Sequence, residues 1–124
     1  MTTRIDLQHR IEETDPTFAG QRDVLFAVSE LLGRKWHALI LYHLNHESMG
    51  FAELKSEIGG ISGKMLAESL DRLTAEYGVV DRTEIDDGLN RVEYSLSKRG
   101  ETLAPLLLAL QDWGSENLDT DERA

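Results

Sequence analysis

The sequence predicts a mainly α-helical domain with one small β-hairpin, an α+β chain in which helices do most of the packing. Three observations predict it. Apolar residues recur at the 3.6-residue helical period in several segments that end at glycines. Between Gly78 and Lys98 the composition shifts toward β-branched and aromatic residues. Asp87-Gly88 stands in the middle of that stretch, where a hairpin turn needs a positive φ. At 124 residues one domain of this kind buries roughly two thirds of its unfolded surface without cross-links.

Residues 1–20 are polar, with only Ile5, Leu7 and Ile11 at helix-like spacing before Thr14-Asp15-Pro16, and are expected to form an arm. From Gln21 the periodic positions Val24, Val28, Leu31 and Leu32 define a first helix that stops at Gly33. A second helix is predicted from Lys35 to His46, with Trp36, Leu39, Ile40, His43 and Leu44 on its inner face. Phe51 to Ile58 forms a short third helix with Phe51, Leu54 and Ile58 inward, broken by Gly59-Gly60. Ser62 then caps a helix striped by Leu66, Leu70, Leu73 and Tyr77 and closed at Gly78. Val79 to Ile85 and Arg91 to Ser97 are the strands of the hairpin, joined by residues 86–90. Lys98 to Leu118 is a final helix with Pro105 near its first turn, and Leu103, Leu106, Leu107, Leu110 and Trp113 as its apolar set. The folded domain thus spans residues 21–118, and residues 119–124 are an acidic tail.

Several classes of function are excluded early. The chain has no cysteine, so disulfides, thiolate catalysis and thiol redox sensing are unavailable to it. Residues 1–10 lack the apolar core of a signal peptide, and the longest apolar run, Leu103 to Leu110, is far too short to span a bilayer. A cytoplasmic protein is expected, without membrane attachment. No nucleophile elbow, phosphate-cradling glycine loop or evident carboxylate pair is present, so an enzyme is not expected, nor is a cofactor. His43 and His46 are three residues apart, but His37 lies on another side of the same helix, so no metal site is expected.

The net charge is −10, distributed as −2 over residues 1–50, −3 over 51–100 and −5 over 101–124. Such acidity weighs against a polyanionic ligand, whose affinity normally rests on clustered Lys and Arg. A high-salt cytoplasm, as in a halophilic archaeon, is one setting that reconciles the two, because it screens long-range repulsion to a few ångströms. An ordinary acidic cytosolic protein is the other.

The element order is that of a helix-turn-helix followed by a β-wing. In such modules the second helix of the pair, here residues 62–77, enters the major groove, and the wing, here residues 79–97, lies on the backbone or minor groove. Ser62, Gly63 and Lys64 stand at the helix N-terminus, where free N–H groups favour a phosphate and Gly63 permits close approach. Glu68 and Asp71 follow on the same face; they repel phosphates but accept hydrogen bonds from cytosine N4. Arg34 and Lys35 open the second helix, an unfavourable place for cations unless an external phosphate is present. Arg91, beside the Asp-Gly turn, either enters a minor groove or pairs across the hairpin with Glu84. Trp36 is assigned to packing.

Ordered words through this region carry a family resemblance. Leu32-Gly33-Arg34-Lys35-Trp36, Phe51-Ala52-Glu53-Leu54, Gly60-Ile61-Ser62, Lys64-Met65-Leu66, Val92-Glu93-Tyr94-Ser95-Leu96 and Trp113-Gly114 resemble the HxlR-type winged-helix transcriptional regulators, over roughly residues 24–118. The resemblance implies a homodimer that binds double-stranded DNA, paired through its N- and C-terminal helices, with Val24, Phe26, Leu107 and Leu110 at the interface. Similar proteins often carry a cysteine before the Gly-x-Lys-Trp segment and a proline before the Arg-Val-Glu-Tyr stretch. This chain has no cysteine and has Asn90 at the second position. Two alternatives stay open: a winged helix that binds only proteins, and a regulator gated by a small-molecule effector in an apolar pocket between dimer helices.

Overall fold

The computed structural model describes residues 18–119, which form two compact units divided between Arg34 and Lys35. Most of the predicted arm and all of the tail beyond Asp119 lie outside the described residues. In the first unit, helix α1 runs Phe18–Leu32, beginning three residues before the regular apolar period does. It ends at Gly33, whose N–H donates to the Ser29 carbonyl at 2.7 Å. A Cβ at Gly33 would lie 2.5 Å from that oxygen, so the turn closes only around glycine.

The second unit contains α2 (His37–His46), β1 (Met49–Gly50), α3 (Phe51–Ile58), α4 (Gly63–Asp71), β2 (Val80–Ile85), β3 (Arg91–Leu96) and α5 (Lys98–Asn117). The order matches the expectation, with a mostly helical body and a small antiparallel sheet. The sheet has three strands rather than two, in the order β1-β3-β2. Met49 pairs with Tyr94 and Gly50 with Glu93, while Val80 pairs with Leu96 and Ile85 with Arg91. The wing is therefore anchored to the body by a strand too short to show an alternating pattern.

Ile40, Leu41, Leu44, Leu54, Ile61, Leu66, Leu70, Leu73, Val79 and Val80 form the core. α2 is rotated from its predicted orientation: His37 and Leu41 are buried and Leu39 is exposed. It also starts two residues later than expected, with Trp36 as its N-cap. α5 departs too. Gly100 and Ala104 are its buried residues, whereas Leu106, Leu110 and Trp113 are more than half exposed. Pro105 is not in the first turn of α5 but eight residues in. The helix continues through it, at the loss of the bond that the Glu101 carbonyl would otherwise accept.

One joint ties the end of the helix-turn-helix to the wing and to α5. Ser97 caps α5, its Oγ accepting from Gly100 N–H (3.1 Å) and donating to the Gly78 carbonyl (2.6 Å). Its N–H donates to the Val79 carbonyl at 3.0 Å. Arg99 Nη1 donates to the Tyr77 carbonyl at 3.0 Å. A Cβ on Gly100 would fall inside van der Waals contact of the Val79 carbonyl oxygen, so a glycine is required where α5 crosses the backbone that leads into β2.

Candidate nucleic-acid interface

The turn between α3 and α4 is made by two glycines in the left-handed region, Gly59 (φ +72°) and Gly60 (φ +78°), a conformation that side-chain-bearing residues adopt only at a cost. Ile61 then enters the core and Ser62 emerges to cap α4, its Oγ accepting from Met65 N–H at 3.0 Å. The N–H groups of Gly63 and Lys64 remain at the helix mouth without an intrahelical acceptor, where the dipole favours an anion. A Cβ placed on Gly63 would meet only the Lys55 side chain, with Cε at 3.9 Å. Packing within the chain therefore does not demand glycine there.

Leu66, Ser69 and Leu70 hold α4 to the body, which turns Ser62, Lys64 and Asp71 to solvent and leaves Glu68 half-exposed. Lys64 Nζ lies 3.1 Å from Glu68 Oε2, so two of the candidate residues form an ion pair with each other. After Asp71 the helix widens by one residue per turn, Tyr77 N–H donating to the Arg72 carbonyl (3.0 Å), and Val79 N–H closes its end on the Leu73 carbonyl (2.9 Å). A widened turn of this kind appears often at functional sites. Here Arg99 holds its last carbonyl.

In the wing, Arg91 neither projects unpartnered nor pairs with Glu84. Its Nε and Nη2 donate to Asp87 Oδ2 at 3.0 and 2.6 Å, and Glu84 faces Arg82 at 3.6 Å. The register explains the difference, since Ile85 is opposite Arg91 and Glu84 is opposite Val92. Asp87 also accepts from Leu89 N–H at 3.1 Å. The Arg91 guanidinium, with the Leu89 amide, holds the Asp87 carboxyl below its ordinary range, and the Asp87 carboxylate raises the Arg91 guanidinium. Asn90 takes φ +52°, a value closed to proline, whose ring fixes φ near −65°. The wing of this chain therefore turns differently from one with proline at that position. A concavity of about 530 Å³ lies on the wing, lined by Arg82, Glu84, Ile85, Asp86, Asn90, Arg91 and Val92.

Arg34 and Lys35 lie in the turn before α2 rather than in its first turn, both exposed, and Lys35 Nζ stacks 4.9 Å from the Trp36 ring centroid. Ser62, Gly63, Lys64, Glu68 and Asp71 thus share α4 and its cap, while Arg91 opens β3 beside the wing turn. Lys55 was missed by sequence reasoning. Its signal is positional, since α3 crosses the mouth of α4 and carries this cation to Gly63. His46 Nδ1 donates to the Tyr42 carbonyl at 3.0 Å, and among the described residues no three acidic or imidazole side chains converge on a metal position. No helix among them is long and apolar enough to cross a membrane.

The model of the HxlR-like helix-turn-helix family matches residues 31–122 of this sequence. The chain belongs to that family. It is 38% identical over 90 residues to the HTH-type transcriptional regulator YvaP of Bacillus subtilis, covering 73% of this chain and 82% of YvaP. The solved structure of the HTH-type regulator YtcD superposes with TM-score 0.71 at 36% identity, over 76% of this chain and 95% of that one. The oxidised form of the redox regulator HypR gives TM-score 0.70 at 32% identity, over 77% and 97%. This member of the HxlR-like family is a transcriptional regulator of the winged helix-turn-helix type. With no cysteine in its sequence, it has no thiol on which a redox signal can act. YvaP is bacterial, which lends no support to a halophilic archaeal source.

Proposed function

We propose that this HxlR-like protein is a sequence-specific DNA-binding regulator that acts as a homodimer, with α4 in the major groove and the β2–β3 wing on the backbone or minor groove. The observation that carries this reading is the two-sided character of α4. Its apolar side is locked into the core by Leu66 and Leu70, while Ser62, Gly63, Lys64, Glu68 and Asp71 stand together on the other side. Gly63 and Lys64 offer backbone donors to a phosphate, with Lys55 beside them. Arg34, Lys35 and Arg91 are assigned to phosphates, at the expense of the Trp36 stack and the Asp87 pair.

The dimer is supported by apolar surface that the single chain leaves uncovered: Val24, Leu25 and Phe26 on α1, and Leu106, Leu108, Leu110 and Trp113 on α5. Leu107, half-buried, belongs to the same α5 surface. Large apolar side chains left exposed on a helix in this number favour an interaction surface. The effector-gated alternative gains nothing from the wing concavity, which is lined by charged side chains. The deciding experiment is anisotropy on a selected duplex and a scrambled one, paired with light scattering of wild type and Leu110→Glu. A dimer that prefers the selected duplex, and a variant that is monomeric and binds weakly, are expected. A stable wild-type monomer, or equal affinity for both duplexes, refutes the proposal and favours a protein-binding module.

A further inference from the structure

The exposed face of α4 carries its charges in an order that helix stability does not explain. Anions are favoured in a first turn and cations in a last one, and an i,i+4 ion pair stabilises a helix better with the acid first. In α4 the lysine comes first: Lys64 is its second residue and Glu68 follows one turn later. The side chains are 84% and 42% exposed, and surface pairs contribute little to folding in any case. The ion pair is nevertheless well formed, with Nζ 3.1 Å from Oε2.

Its dimensions match a feature of DNA. In the major groove a G·C pair presents an acceptor, guanine O6, beside a donor, cytosine N4. These two atoms are hydrogen-bonded to each other, so they are about 2.9 Å apart. The Lys64–Glu68 pair is the complement at nearly the same spacing, a cationic donor beside an anionic acceptor. We infer that Lys64 and Glu68 read one G·C base pair as a unit, Lys64 Nζ on guanine O6 and N7 and a Glu68 carboxylate oxygen on cytosine N4, with their own ion pair intact. Keeping the pair means that neither charge is left desolvated and alone in the groove.

The arrangement ranks all four base pairs. C·G and A·T reverse the order, setting an amino donor against the ammonium and a keto oxygen against the carboxylate. T·A keeps the order but offers a methyl group where guanine has N7. G·C is therefore preferred, T·A second, and the reversed pairs are rejected by juxtaposed like groups. The inference rests on the placement of α4 in the major groove proposed above.

The test begins with selection of duplexes from a randomised pool by the whole chain. Each base pair of the enriched half-site is then changed to the other three, and binding is titrated with wild type, Lys64→Ala, Glu68→Ala, the double variant and the isosteric Glu68→Gln. Circular dichroism confirms that each is folded. For wild type, one G·C pair is expected whose reversal weakens binding roughly 5- to 150-fold. Each alanine variant should reduce that penalty below about threefold at this pair alone, and the double variant should do no more than either single one. Glu68→Gln should shift the preference toward T·A, because glutamine reads adenine through N6 and N7. The inference is overturned if the two alanine variants relax different base pairs, or none while wild type still discriminates. If wild type enriches no duplex, the DNA-binding reading itself fails.

Discussion

Replacing Gly100 by alanine sets two physical expectations against each other. Helix propensity favours alanine over glycine by about 1 kcal/mol in a helix interior. The packing at the joint opposes it. The added methyl would penetrate the Val79 carbonyl oxygen and press the Val79 carbonyl carbon at 3.1 Å and Leu96 Cδ2 at 3.3 Å. Since the obstacle is the backbone just before β2, relief requires α5 and that segment to separate by roughly 1 Å. That movement stretches the bond from Ser97 N–H to the Val79 carbonyl and the one from Ser97 Oγ to Gly78. Overpacking of a tight site costs about 1–3 kcal/mol and each weakened hydrogen bond about 1 kcal/mol, so a net loss of about 3 kcal/mol is expected. That is a large share of the roughly 5–15 kcal/mol that holds a domain together. Urea unfolding followed by circular dichroism measures it. A midpoint unchanged or raised in Gly100→Ala would show that propensity outweighs packing and that the joint yields freely.

Gly63→Ala should have the opposite signature: stability unchanged or raised by up to about 1 kcal/mol, with DNA binding weakened, because a methyl on Gly63 meets only the flexible Lys55 side chain within the chain and the position is assigned to a phosphate. Unchanged affinity by anisotropy would remove Gly63 from the interface. Asp71→Arg should strengthen binding to scrambled duplexes, since it converts a repulsive exposed charge into an attractive one; no change in affinity or in salt dependence would place Asp71 away from the DNA. Asp87 is held below the ordinary carboxylate range by Arg91 and the Leu89 amide. Its contribution to wing order is therefore fully present above that range and is lost as pH falls through the lowered value. The protection of the Leu89 amide, its exchange rate relative to that of an unstructured amide at the same pH, should fall over that acidic interval in wild type and should already be low at neutral pH in Asp87→Asn. Equal protection in both at neutral pH would refute the role.

Where a local rule decided the structure, the sequence was readable. The Ser62 cap, the Gly59-Gly60 break, the α3 boundaries and the Asp-Gly wing turn each depend on a few adjacent residues and stand where they were expected. Errors arose where identity depended on neighbours distant in the chain. Anchoring the second helix on Trp36 rotated its predicted face by one residue. The buried set, His37, Ile40, Leu41 and Leu44, has the regular i, i+3, i+4, i+7 spacing, but it begins with a histidine, a residue type that an apolar stripe does not single out. In α5 the apolar set was leucines and Trp113, whereas the buried residues are the small Gly100 and Ala104, and the close approach to Val79 needs Gly100. Strand β1 is two residues long and has no period to detect. Of the candidate interface, the residues on α4 follow from helical spacing alone. Lys55 beside Gly63 and the Arg91–Asp87 pair depend on how segments cross and turn, which no periodicity encodes.

The joint at Ser97 also governs how motion travels through the protein. Its bonds fasten the first turn of α5 to the last carbonyls after α4 and to the root of the wing, so a shift of any one of those three parts strains its bonds to the others. A twenty-residue helix is about 30 Å long, which makes α5 a lever fastened at its base beside the end of α4. A tilt of about 5° at that base carries the far end, at Asn117, through roughly 2.6 Å. Run in reverse, a partner that shifts the exposed end of α5 by a few ångströms re-aims α4 by only a few degrees. Such gearing turns coarse movements at the periphery into fine adjustments of angle.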